Sequence, residues 1–128
     1  MRQIDGEVLA ADVAGERVVV LLGKTPDGPK ILGMRHDRVG TVTAVMTDVD
    51  LDVLIVKLQA LRADGGAAFD LVVADIAGAP MTIGLGRTAD GARTVAISHP
   101  IGTVTAAPSD DALDELIAEL QALRAEAA

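Results

Sequence analysis

The sequence predicts an α+β fold: an internal tandem duplication of a ββββα unit, forming a pseudo-twofold single domain with antiparallel sheet and two helices. Three observations predict it. Sliding the chain along itself aligns Val8–His36 with Leu71–His99 at an offset of 63, with 10 identities in 29 positions. After a one-residue deletion, Gly40–Ala63 aligns with Gly102–Ala125 at an offset of 62, with 16 identities in 24. That agreement marks two copies of one supersecondary unit. Each copy opens with short alternating or apolar segments broken by Gly and Asp turns, and each closes on leucines at helical spacing. The 128 residues then make one domain of two repeats, about 1–63 and 64–128. The two sheets are expected to pair or merge, with both helices over one face.

The elements follow in order. Glu7–Val13 and Arg17–Leu22 alternate or run apolar around the Ala14-Gly15-Glu16 turn. Arg17–Leu22 and Lys30–Met34 flank Thr25-Pro26-Asp27-Gly28-Pro29, matched in the second copy by Thr88-Ala89-Asp90-Gly91. Asp-Gly suits a hairpin turn because both residues tolerate positive φ better than most. Gly40–Val45 and Gly102–Ala106, rich in Val and Thr, predict a fourth strand in each copy. Thr47/Asp48 and Ser109/Asp110 are N-cap residues for the helices that follow. Leu51, Leu54, Ile55, Leu58 and Leu61 lay an apolar stripe along the first helix, Asp50–Arg62; Leu113, Leu116, Ile117, Leu120 and Leu123 do so along the second, Asp111–Glu126.

Composition narrows the function. Eleven Lys/Arg against nineteen Asp/Glu give a net charge of −8, and there is no Trp or Tyr. A polyanion is a poor partner for such a chain, and base-stacking platforms are missing, so nucleic acid is excluded. The absence of cysteine rules out disulfides, thiolate metal sites and cysteine nucleophiles. Asp5 and Glu7 stand where a signal peptide needs an apolar stretch, and no apolar run reaches transmembrane length. A cytoplasmic protein without membrane contact is expected. The richness in Ala, Val and Asp, with few Lys, fits a high-GC bacterial source.

The differences between the copies carry more functional information than the identities. Val49, Val53 and Val56 add a second apolar stripe to the first helix, and their counterparts are Asp111, Glu115 and Ala118. A helix apolar on two sides is either covered on two sides by its own fold or offers an interface to a partner or a second copy. Residues 1–63 carry a net charge of −1 (eight Lys/Arg, nine Asp/Glu) and residues 64–128 carry −7 (three against ten). Arg35, His36, Asp37 and Arg38 form a basic cluster where the second copy has Ser98, His99, Pro100 and Ile101. Such a cluster is either a solvated connection or a patch for a carboxylate-bearing partner. The candidate interface residues are Val49, Val53, Val56, Arg35, Arg38 and the acidic face of the last helix, Asp111, Asp114 and Glu115.

Candidates for chemistry are few. His36 and His99 occupy matching places, and pseudo-twofold packing could bring them together, with Asp12 and Asp75 completing a two-His, two-carboxylate set. Against this, each His ends a strand, where an exposed imidazole costs nothing, and no local ligand spacing supports a metal. Ile83-Gly84-Leu85-Gly86 sits in a hairpin pattern rather than the strand-to-helix turn that holds pyrophosphate. No catalytic residue, cofactor or metal is assigned, and Phe69, the only aromatic, is expected in the core.

One segment has a family likeness. From Leu51 to Ser98 an apolar helix ending in Leu58-Gln59-Ala60-Leu61-Arg62 leads to a strand, then to Pro80-Met81-Thr82-Ile83-Gly84-Leu85-Gly86 and a second strand. This order resembles the central part of actinobacterial immunity proteins of the Imm1 type and covers about a third of the chain. The resemblance implies a small, acidic, non-catalytic protein that neutralises a cognate toxin by binding it. Two readings result: a non-catalytic interaction protein, or a small-ligand or metal-binding protein using the cleft between the repeats. The second rests on topology, because ββββαββββα is a circular permutation of the paired βαβββ modules of vicinal-oxygen-chelate proteins.

Overall fold

In the computed structural model, which describes residues 3–25, 28–64 and 68–126, eight strands and two helices follow one another as ββββαββββα. The first half holds β1 (Gln3–Ala11), β2 (Arg17–Lys24), β3 (Lys30–His36), β4 (Gly40–Met46) and α1 (Asp48–Arg62). The second holds β5 (Phe69–Ala74), β6 (Pro80–Arg87), β7 (Arg93–His99), β8 (Gly102–Ala106) and α2 (Asp110–Ala125). The first strand begins and ends before the expected Glu7–Val13, because Asp12 leaves the ladder to organise the turn. Pro26 and Asp27, the tip of the expected Thr25–Pro29 turn, lie outside the described residues.

The strands form one antiparallel sheet in chain order, β1 to β8. Within each half the ladders are long. Between the halves β4 meets β5 at one register pair, Val45 with Ala74. The Ala107 N–H donates to the Ala11 carbonyl at 2.7 Å, tying the end of β8 to the end of β1. Under the repeat offsets these two seams occupy the same position. Each sheet half therefore splays from the other, and the apolar faces of the helices fill the space.

The helices cross over. α1 follows the first half but packs on β5 and β6 as well as β4, and α2 packs on β1 and β2. Inward residues of all strands, among them Val20, Leu22, Ile83 and Ile97, join Leu51, Leu54, Leu58, Leu113 and Leu120 in one continuous core. Burying each such leucine stabilises the fold by about 1.5–3 kcal/mol. Lys57 stands 4.8 Å over the Phe69 ring; at the matching place the Glu119 carboxylate touches Gly6. Phe69 is partly buried and packs against the core.

Polar groups close both ends of the helix pair. Thr47 and Asp50 make a reciprocal capping box on α1, and Ser109 caps α2, each cap worth about 1 kcal/mol. Arg62 pairs with Asp114 at 2.9 Å and Arg124 with Asp52 at 2.8 Å, so the helices run antiparallel side by side. Lys30, only 3% exposed, donates to the Asp48 carboxylate at the start of α1 and to the Arg124 and Glu126 carbonyls at the end of α2. Arg93 does the same across the other ends, reaching Asp110, the Leu61 and Arg62 carbonyls and Asp64. A cation at a helix C-terminus also meets the negative end of the helix dipole.

The halves differ in the outward face of their sheets. β6 alternates, with Thr82, Gly84 and Gly86 partly exposed, whereas β2 is buried on both faces from Val18 to Gly23. Val19 and Leu21, with Ile31 beside them on β3, make this second buried apolar layer.

Candidate functional site

The histidines are the first candidates. His36 closes β3, and its Nε2 lies 3.0 Å from Asp12 in the β1–β2 turn. His99 closes β7, and its Nε2 lies 2.8 Å from Asp75 in the β5–β6 turn. In both, Nδ1 accepts a backbone N–H two residues on, from Arg38 or Ile101. This network assigns the proton of a neutral ring to Nε2, which donates to the carboxylate. The other oxygen of Asp12 accepts the Ala14 and Glu16 N–H groups, and that of Asp75 accepts the Ala79 N–H. Each pair therefore pins one hairpin turn to the strand end beside it. The Glu16 N–H, followed by His36, holds the Asp12 carboxyl below the usual carboxylate range. For Asp75 the His99 hydrogen bond leads and the Ala79 N–H follows.

His36 is buried and His99 partly so, not exposed as strand-end histidines were expected to be. The alternative set of His36, His99, Asp12 and Asp75 is not assembled at one place. The structure divides it into two pairs, each in a shallow cleft at a seam of the sheet. One cleft, about 370 Å³, places Asp12, Val13, His36, Arg38 and Val39 against Thr103–Thr105. The other, about 360 Å³, places Asp75, Ile76, His99 and Ile101 against Thr41–Thr43.

Asp12, Glu16 and His36 bring their ligand atoms within 4.8 Å of one another, the one such group among the described residues. An ion there would need Nε2 unprotonated, yet the Arg38 N–H already occupies Nδ1. Glu16 is paired with the Arg38 guanidinium, which supplies the positive charge. Ala79 replaces Glu16 in the second half, and the Asp75–His99 bond persists without a third ligand. The donor set fits a structural tie better than a metal. Neither imidazole offers a free nitrogen for proton transfer, so neither pair is arranged as a general base.

The helix surface gives a different answer. Val49 is 70% exposed and Val56 61%, with Val53 between them half-buried. The expectation that α1 is sandwiched by the rest of the fold is overturned: its second stripe faces outward, opposite Leu51, Leu54, Leu58 and Leu61. On α2 the matching positions Asp111, Glu115 and Ala118 are exposed too.

The other candidates divide. Asp114 is held by Arg62, and Arg38 by Glu16. Arg35 is exposed on β3, and among the described residues its side chain has no charged partner, nor have Asp111 and Glu115. Sequence reasoning missed Lys30 and Arg93 as the residues that join the helix ends. Their signal was a cation at the same repeat position in both copies, directly opening a strand. Comparison with family models, with curated proteins and with solved structures finds no match to this chain.

Proposed function

We propose that the chain is a non-catalytic protein-binding module that engages another protein through the outer face of α1. The observation that carries this reading is the solvent exposure of Val49 and Val56, with Val53 half-buried between them, on a helix whose partner carries Asp111, Glu115 and Ala118 at the matching positions. Exposed aliphatic residues at i and i+7 cost solubility without stabilising the fold. The two halves are read as copies of one ββββα unit, 1–63 and 64–128, of which the first took on the binding face. An immunity-like role, neutralising a toxin by occlusion in a bacterial cytoplasm, is the form of this function that the Imm1-type resemblance favours.

The test replaces Val49→Asp and Val53→Glu, putting on α1 the residues that α2 carries at those places. Molar mass is read by light scattering with refractive-index detection, since the chain has no Trp or Tyr. Partner capture is read alongside thermal unfolding. The expected result is an unchanged fold, a mass near the 13.1 kDa of one chain for both proteins, and loss of the captured partner in the variant. A folded variant that keeps its partner would sink the reading. A wild-type dimer dissociated by the same changes would make a second copy the occupant.

A further inference from the structure

The two outer stripes are not independent, because α1 and α2 lie antiparallel in one layer. The ion pairs Arg124–Asp52 and Arg62–Asp114 fix which turns sit side by side. Val49, Val53 and Val56 therefore lie beside the C-terminal turns of α2, whose outward residues Ala122 and Ala125 are exposed. Ala60, near the end of α1, lies beside Asp111 and Glu115, in the first turns of α2. The layer thus has an apolar pole and an acidic pole. At 1.5 Å per residue, Glu115 is about 12 Å along the helix axis from Val53, roughly two turns away.

Most charges elsewhere on this layer are committed; the exposed Glu126, just beyond the end of α2, is an exception. Arg62, Arg124, Asp52 and Asp114 neutralise one another in the furrow between the helices, Asp50 is spent on the capping box, and Lys57 turns toward Phe69. The Asp111 and Glu115 carboxylates have no charged or hydrogen-bonding partner among the described residues.

Resting on the interface reading above, we propose that the occupant is a cationic amphipathic helix of another protein. Its aliphatic residues cover Val49, Val53, Val56 and Ala122, and its Lys or Arg residues, two turns on, meet Asp111 and Glu115. A helix laid along this layer beside the ion-paired furrow rests its apolar side on the valine stripe and carries its charges on toward Asp111 and Glu115. A second copy of this chain fits less well. It brings the same two carboxylates and a net charge of −8, with no uncommitted cation on this layer.

The experiment uses the full chain and two synthetic helical peptides of about 18 residues. They share one leucine stripe, and one carries Lys where the other carries Glu. Binding is read by calorimetry, and its site by amide chemical shifts. The Lys peptide is expected to shift α1 and α2 resonances and to bind about tenfold more tightly than the Glu peptide. Asp111→Lys with Glu115→Lys is expected to remove that preference while the chain stays folded, with only a small fall in thermal stability from a cation in the first turn of α2. Val49→Asp with Val53→Glu is expected to abolish both interactions. Equal binding of the two peptides on α1 would overturn the cationic occupant and leave the interface reading standing. Binding of neither, or binding of the Lys peptide that ignores the valine changes, would overturn both.

Discussion

α1 and α2 are nearly the same helix seen from inside. Both start on a hydroxyl cap, both bury leucines at matching positions, and each donates an arginine to an aspartate of the other. From outside they differ: Val49, Val53 and Val56 on one face Asp111, Glu115 and Ala118 on the other. The inner face is constrained by a core that both helices share. The outer face is constrained only by water and by whatever binds there. A difference confined to the unconstrained side, toward the less soluble choice, is therefore the more informative place to look for function.

The largest expected effect tests the inner likeness. Leu58 and Leu120 occupy matching positions and both are fully buried. Leu58→Ala and Leu120→Ala should each lower unfolding free energy by roughly 2–5 kcal/mol, measured by denaturant titration. Costs that differ by more than a factor of two would show that the two helices do not share one core equally.

Next in size is the tie between helix ends. Lys30→Met leaves two α2 carbonyls and Asp48 without their donor, at an expected cost of about 2 kcal/mol. Arg93→Met should destabilise in the same direction but by less, since Arg93 is the more exposed of the two. The reverse order in chemical denaturation would break the proposed equivalence.

Much of this architecture was legible in the sequence, and for a physical reason. Turn residues, caps and leucine periods recur at offsets of 62 and 63, so a weak signal at one place is read again at the other. Hence β8 was placed to the residue and both N-caps were identified. Two things were not legible. Periodicity reports which side of α1 is apolar but not what lies over it, so only the tertiary structure separates core from solvent-exposed surface at Val49 and Val56. The matching places of His36 and His99 also left open whether the two meet in space. Hydrogen bonding within each half instead joined His36 to Asp12 and His99 to Asp75, because the turn beside each strand end supplies the nearer acceptor.

Acid sharpens the comparison of the halves. Asp12, Asp48, Asp64, Asp75 and Asp90 are all held below the ordinary value of 3.8. A carboxyl depressed in the folded state contributes stability that is complete above its unfolded pKa and lost as pH falls through the folded one. Thermal stability should therefore be flat near neutrality and decline below about pH 4. Asp12→Asn and Asp75→Asn should each flatten that decline, one in each half. A decline unchanged by both would remove the His-paired carboxylates from the set that stabilises the turns.

The smallest expected effect on stability decides most about function. Asp111→Val with Glu115→Val gives α2 the outer residues that α1 has at those places. Both positions are exposed and unpaired among the described residues, so unfolding free energy should move by no more than about 0.5 kcal/mol. Association should change instead, because two valine stripes now cover the layer and its acidic pole is gone. Light scattering is expected to show a concentration-dependent rise above the mass of one chain, where the wild type shows none. A variant that stays at one chain's mass while binding the Lys peptide undiminished would show that Asp111 and Glu115 neither keep copies apart nor select a partner. The contrast between the helices would then be a difference in solvation alone.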